Sequence, residues 1–119
     1  MTVLSIFLVG CGGAIGAVLR YYFSKKWNDE MFPSGTLTVN LAGSFLLGVL
    51  IGAATPEPWL LFAGTGMMGA LTTFSTYQVE SLNLLRGKER KTYLLYQGIT
   101  YAGGLGLSFV GILLGRFLR

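Results

Sequence analysis

The 119-residue chain contains no histidine and a single cysteine. Without histidine, neither imidazole catalysis nor an imidazole metal ligand is available. One cysteine, Cys11, excludes an intrachain disulfide and any multi-cysteine metal site. It lies in an apolar, glycine-rich run, which is typical of a buried, unreactive thiol. No nucleophile–base or metal-ligating constellation is recognisable, so the sequence does not indicate an enzyme.

Charged residues are also scarce in this chain. They make up 12% of the residues, about half the share in soluble domains, whereas 52% are hydrophobic. A small soluble fold has a large surface, and so few charged side chains do not cover it. The mean hydropathy of +0.60 agrees with this. The composition therefore predicts a protein that uses lipid as its solvent.

Four apolar segments divide the chain, each near or above the roughly 20 residues that cross a bilayer as a helix. They comprise residues 3–19, 36–54, 59–85 and 92–118. The first lacks a basic start and three more spans follow, so it is interpreted as a retained helix rather than a signal peptide. Because the connections are short, we expect one all-α unit over residues 1–119, a multi-pass protein of the cell membrane.

Basic residues are concentrated in the connections after the first and third segments. These connections hold Arg20, Lys25, Lys26, Arg86, Lys88, Arg90 and Lys91, against Arg116 and Arg119 on the other side. The seven-to-two bias predicts that both termini face outward. If Arg20 and Arg116 belong to their helices, the bias is six to one with the same sign. Membrane anchors thus account for the net charge of +4, and nucleic-acid binding is not indicated.

Small and polar residues recur at helical spacing in the second and fourth segments. The second segment carries Thr36, Asn40, Ser44, Gly48 and Gly52, and the fourth carries Gln97, Thr100, Gly104, Ser108, Gly111 and Gly115. Gly48 and Gly52 indicate close helix packing. The Asn40 amide must find partners, either across an interface or in a pore. The stripe of the fourth segment is interpreted as a packing face or as a face toward water or ions.

The third segment favours a break in its helix. Three glycines in residues 64–69 precede four hydroxyl residues in residues 72–76. Glycine and β-branched residues lower helix propensity, and hydroxyls offer the backbone alternative hydrogen bonds. A break at mid-membrane depth frees carbonyl groups that suit cations and amide groups that suit anions. The alternative is a continuous helix whose hydroxyls bond back to its own carbonyls.

Two aromatic and two charged residues complete the candidates. Phe74 and Tyr77, three residues apart, are either packing residues or rings that present positive edges to a small anion. Arg20 either snorkels to the interface or raises the anion concentration at a vestibule. Glu80 is unfavourable for an anion unless it is paired, so we expect it near a pore mouth, bonded to a hydroxyl such as that of Tyr96.

Three stretches of the sequence resemble the fluoride-specific ion channels, a family called Fluc or CrcB. They are residues 12–20 (GGAIGAVLR), 35–40 (GTLTVN) and 69–77 (GALTTFSTY), of which the last is the most specific. The resemblance covers all four segments and implies passive fluoride flow that lowers cytoplasmic fluoride. It also implies an antiparallel dual-topology dimer of four-helix subunits, each with its third helix broken near the bilayer midplane.

The same resemblance implies roles for particular residues. The anion pore falls on Asn40, Phe74, Tyr77 and Thr100, the vestibule on Arg20, Glu80 and Tyr96, and a structural, untransported Na⁺ on the main-chain carbonyls of Gly69 and Thr72. The chain departs from the family at Ala70, where a second glycine is usual, and at Gly104, where a polar residue is usual. At Tyr77 the family most often has phenylalanine, and the added hydroxyl can bond elsewhere and turn the ring.

Three further interpretations stay open beside a homodimeric channel. Some family members are pairs of different chains with fixed, opposite orientations, and the charge bias favours this, because a subunit that inserts both ways needs little asymmetry. A small multidrug-resistance-type exporter requires a carboxylate in its first helix, which is absent here. A non-transporting accessory subunit is disfavoured by the intact Asn40 and Phe74.

Overall fold

The computed structural model describes residues 2–28 and 32–119, which form helices joined by short connections. The helices are α1 (Val3–Trp27), α2 (Ser34–Gly52), α3 (residues 57–71), α4 (Phe74–Arg86) and α5 (Arg90–Leu118). Within α3 and α5, the stretches Leu60–Met68 and Ile99–Gly103 have wider π-helical turns. The prediction of an all-α protein is confirmed for these residues, whose one isolated β-bridge joins Asn28 and Pro33.

Three helices in the described ranges are long and apolar enough to cross a membrane. They are α1, α2 and α5, whose most apolar windows have mean hydropathies of 1.9, 1.6 and 1.5. Large apolar side chains stand uncovered on the outside, as at Phe7, Phe109 and Phe117. Such a surface suits contact with acyl chains. The long dimension of 47 Å is close to the thickness of a bilayer with its headgroups, and the chain is a multi-pass membrane protein.

The first helix continues past its predicted end at Arg20 and reaches Trp27. The prediction was wrong because the basic residues that follow still fit a helix. Lys25 and Lys26 extend over aromatic rings one turn earlier, and basic residues in a last turn also interact favourably with the helix dipole. Arg20 and Arg116 both lie inside helices, as do most of the basic residues counted in the connections, so helix membership does not choose between the two counts.

Glycines bring two pairs of helices into main-chain contact. α2 and α5 meet along a glycine seam formed by Gly48, Gly52, Gly111 and Gly115, where a Cβ atom would overlap the main chain of the other helix. α1 and α3 approach each other in the same way at Gly12 and Gly16. The prediction of close packing at Gly48 and Gly52 is confirmed. Membrane helices depend on such contacts because lipid provides no hydrophobic force between them.

The variant Gly48→Ala is expected to lower the free energy of unfolding by about 1–3 kcal/mol, since its methyl group would collide with the Ser108 carbonyl. Gly106→Ala is the matched control on α5, because no atom lies within 4 Å of a Cβ at that position. Thermal unfolding of the purified protein in detergent measures the difference. Equal melting temperatures for the two variants would contradict a seam closed by main-chain contact.

Candidate functional site

The helical path is interrupted between α3 and α4. Thr72 and Thr73 have extended backbones, with φ and ψ of −79° and 153° at the first and −148° and 121° at the second. The Thr73 hydroxyl caps α4 by accepting from the Thr76 N–H at 3.3 Å, the role for which threonine is favoured at this position. The Thr72 hydroxyl donates back to the Met68 carbonyl at 3.0 Å. The hydroxyl cluster thus ends one helix and starts the next.

Asn40 on α2 binds the main chain at this interruption. Its Oδ1 accepts from the Thr73 N–H at 2.7 Å, and its Nδ2 donates to the Thr73 carbonyl at 3.1 Å. In a regular helix that N–H would pair with the carbonyl of Gly69, four residues earlier. The amide and the extended backbone therefore satisfy each other's polar groups within the apolar surroundings. This bond uses one of the two Nδ2 hydrogens.

A groove of about 580 Å³ runs beside the interruption, between α2, α3, α4 and α5. Six of the nine residues assigned to a pore, a vestibule or a Na⁺ site line it: Asn40, Gly69, Thr72, Phe74, Tyr77 and Thr100. Arg20, Glu80 and Tyr96 do not. Within the described part of the chain, no charged residue lines the groove. The lining does include hydroxyl groups, and one of them, that of Thr65, was not predicted from the sequence.

The two aromatic residues at the groove differ in exposure. Phe74 is 65% exposed and Tyr77 only 2%. Their ring centroids are 5.9 Å apart, and the ring planes are tilted by 42°. Tyr77 also packs against Tyr96 and Tyr101, with centroid separations of 5.2 and 6.0 Å. Tyr77 thus combines a packing role with a place at the groove, whereas most of the Phe74 side chain is uncovered.

Both π-helical stretches contribute to the groove. Leu60–Met68 supplies Thr65, and Ile99–Gly103 supplies Thr100. Wider turns of this kind are frequent at functional sites. The hydroxyl oxygen of Thr100 is buried and has no hydrogen-bond partner among the described residues. An unpartnered buried hydroxyl is costly, so the Thr100 side chain has unused hydrogen-bonding capacity beside the groove.

Glu80 is bonded to Thr36 rather than to Tyr96. The hydroxyl of Thr36, which is fully buried, donates to Glu80 Oε1 at 2.6 Å. Asn28 donates to Thr36 Oγ1 at 3.2 Å and accepts from the Thr36 N–H at 3.0 Å. The expected bond of Glu80 to a hydroxyl is confirmed, but the hydroxyl is that of Thr36 and not the named example, Tyr96, whose hydroxyl is buried without a partner in the described ranges. Thr36 belongs to the polar stripe of α2, but spacing alone does not pair it with a residue 44 positions later.

A bridge between α4 and α5 was not foreseen from the sequence. The Tyr77 hydroxyl donates to Oε1 of Gln97, and Nε2 of Gln97 donates to the Ser81 hydroxyl at 2.9 Å. Ser81 lies one helical turn after Tyr77, so Gln97 ties both residues of α4 to α5. The available signals were the tyrosine hydroxyl and the place of Gln97 on the polar stripe of the fourth segment.

Together these features define an α-helical, multi-pass membrane protein with an uncharged, mostly apolar groove that carries several hydroxyl groups and lies beside the extended residues between α3 and α4. A comparison with models of known families then identifies the family of this chain. The model described as CrcB-like protein, Camphor Resistance (CrcB), matches residues 7–112. The chain belongs to the CrcB-like family.

Curated relatives cover nearly the whole chain. Fluoride-specific ion channel FluC 2 of Bacillus thuringiensis subsp. konkukian (strain 97-27) is 46% identical over 111 residues, which cover 91% of this chain and 94% of the relative. Fluoride-specific ion channel FluC 1 of Listeria monocytogenes serovar 1/2a is 46% identical over 116 residues, or 94% and 98% of the two chains. Fluoride-specific ion channel FluC 1 of Geobacillus kaustophilus is 42% identical over 111 residues, or 91% and 95%.

Proposed function

We propose that this chain is a subunit of a fluoride-selective channel that lets fluoride leave the cell passively. The names of its relatives support this function. The observation that carries it is the groove, which brings the four expected anion-binding residues to one place although they come from three helices. They are Asn40, Phe74, Tyr77 and Thr100.

The chemistry of the groove suits a small anion. Aromatic rings carry positive edges, and the buried Thr100 hydroxyl lacks a partner among the described residues, so it has a hydrogen to donate. Asn40 contributes the Nδ2 hydrogen that is not bonded to Thr73. No acidic side chain of the described residues lines the path. Fluoride would exchange its water for these groups in a narrow passage, which is the usual basis of channel selectivity.

The proposed assembly is an antiparallel dimer of four-span subunits. The third span would be α3 and α4 together, with Thr72 and Thr73 near the bilayer midplane. The sequence supports this depth, because these residues fall in the middle of the apolar segment 59–85. The groove is open on one side and Phe74 is 65% exposed there, so a second subunit would close it.

A structural Na⁺ is proposed at the main-chain carbonyls of Gly69 and Thr72. Both residues line the groove next to the interruption. The N–H that would pair with the Gly69 carbonyl in a regular helix donates to Asn40 instead. Carbonyls released by a broken membrane helix are established ligands for Na⁺, so the residues present fit the ion. Bound there, Na⁺ would hold two subunits together without being transported.

Arg20, Glu80 and Tyr96 are proposed as vestibule residues. They lie outside the groove lining, which fits a place at an entrance. Arg20 would raise the local anion concentration. The bond from Thr36 to Glu80 occupies one carboxylate oxygen, which reduces the repulsion of an approaching anion.

A pair of two different homologous chains is the second candidate assembly. The bias of basic residues toward one side favours one fixed orientation. Relatives that carry the numbered names FluC 1 and FluC 2 fit chains that occur in pairs. A small multidrug-resistance-type exporter is disfavoured, because α1 contains no Asp or Glu.

Fluoride release from liposomes tests the proposal and the Na⁺ site together. Liposomes that contain this chain, alone or with a homologous chain from the same organism, are expected to release fluoride rapidly and chloride at the protein-free rate. Replacing all Na⁺ by N-methylglucamine is expected to slow the release, because the subunits lose the ion that joins them. A fluoride electrode measures the rates, and protein-free liposomes are the control.

Each outcome of this experiment separates the candidates. Rapid release by the chain alone contradicts an obligatory pair, and release that requires the second chain contradicts the homodimer. Release that is indifferent to Na⁺ contradicts the proposed cation site. If neither the chain alone nor the pair releases fluoride, and a pH gradient drives dye transport, the protein is an exporter and not a channel.

A further inference from the structure

The bridge from Tyr77 through Gln97 to Ser81 acts on a ring that lines the groove. Tyr77 is 2% exposed, so its hydroxyl has no bulk water as a partner. Gln97 supplies the acceptor. The second bond, from Nε2 to Ser81 at 2.9 Å, turns the amide so that Oε1 faces Tyr77. The Tyr77 hydroxyl and one Nε2 hydrogen of Gln97 therefore have a defined direction.

Packing against other rings does not by itself set the position of Tyr77. The planes of Phe74, Tyr96 and Tyr101 meet that of Tyr77 at 42°, 53° and 84°. Aromatic pairs adopt both offset-stacked and edge-to-face arrangements, so these contacts permit more than one tilt of the ring. A hydrogen bond at the far end of the ring fixes its depth and its tilt. The ring that lines the groove is then held from α5, although Tyr77 belongs to α4.

We propose that Gln97 is a positioning residue for the anion path, which acts by holding the Tyr77 ring through its hydroxyl. Gln97 itself does not line the groove. The inference rests on the proposed channel function and adds to it a residue outside the path. It follows that Gln97 affects conduction through the hydroxyl of Tyr77 and loses most of its effect when that hydroxyl is removed.

A double-mutant cycle tests this dependence. Gln97→Met keeps the length of the side chain and removes both polar ends, and it is expected to slow fluoride release about tenfold, since the buried Tyr77 hydroxyl loses its acceptor. In a Tyr77→Phe background, the same change is expected to alter the rate of that background by less than about threefold. Gln78→Met, at an exposed position of α4, is the matched control and keeps the wild-type rate.

Three results in the flux cycle decide the matter. Slowing that is much stronger with Tyr77 present supports a positioning role. Equal slowing in both backgrounds overturns it, because Gln97 then acts without the hydroxyl. An unchanged rate for Gln97→Met in the wild-type background overturns it as well.

Thermal unfolding is the second measurement, and it does not depend on fluoride. It compares the wild type, Gln97→Met, Tyr77→Phe and the variant that carries both changes. If the wild-type chain releases no fluoride, alone or with a homologous chain, the proposed function fails while the bridge can still be judged. The bridge can also be judged in this way if the Tyr77→Phe channel releases fluoride too slowly for its rate to be compared. A larger drop in melting temperature from Gln97→Met with Tyr77 present supports the bridge, and equal drops in both backgrounds overturn it.

Discussion

Replacing Phe74 with isoleucine is expected to slow fluoride release from liposomes about tenfold, while the subunits still assemble. Isoleucine keeps an apolar side chain at this exposed position but has no ring quadrupole to offer an anion. Specific contacts of an aromatic ring contribute up to about 1.5 kcal/mol, which corresponds to about tenfold in an equilibrium or rate constant. A fluoride electrode gives the rate, and size-exclusion chromatography gives the assembly.

Phe109→Ile is the matched control for this variant. Phe109 is 62% exposed, close to the 65% of Phe74, but it lies on α5 outside the groove lining. Its replacement is expected to leave the rate unchanged. Wild-type release by an assembled Phe74→Ile channel would refute the role of the ring, and an equal loss in both variants would reduce the effect to a general need for aromatic side chains.

The variant Asn40→Asp is expected to have the largest effect, a loss of fluoride release by at least about a hundredfold. The carboxylate still accepts from the Thr73 N–H, but it has no hydrogen for the Thr73 carbonyl or for an anion. It also brings a negative charge into a groove whose described lining has none. Two like charges 4 Å apart repel by about 4 kcal/mol at an effective dielectric constant of 20, nearly three orders of magnitude in affinity.

Asn83→Asp makes the same chemical change at an exposed position of α4 and serves as the control. It is expected to conduct at the wild-type rate. The assembled Asn40→Asp protein is compared with it in the same liposomes. Conduction within a few fold of the control would mean that Asn40 only holds the main chain and does not meet the ion.

Local sequence features predicted much of this architecture. Apolar segment lengths and short connections gave the helices their approximate places, because a bilayer demands spans of about 20 residues. Glycines at a spacing of four marked where main chains touch, as at Gly48 and Gly52. The hydroxyl cluster at Thr72 and Thr73 coincides with the interruption, since its side chains supply the bonds that a helix end requires.

The parts that sequence did not predict depend on registration between helices. Glu80 pairs with Thr36, and Tyr77 with Gln97, because of the register between packed helices, which decides the residues that lie side by side. Main-chain contacts such as the glycine seam fix this register, and no local sequence pattern encodes which side chains it aligns. The wider turns at Leu60–Met68 and Ile99–Gly103 add to the difficulty, since each shifts the faces of the residues that follow.

The glycine seam joins α2 and α5, the same two helices that contribute Asn40, Ser44, Thr100 and Ser108 to the groove lining. Protein pockets usually adapt to larger ligands through rotamer changes, but a joint of bare main chain has no rotamers to change. The distance between these two helices is consequently set when the protein folds. If ions pass beside them, as proposed, part of the size limit is built into the backbone.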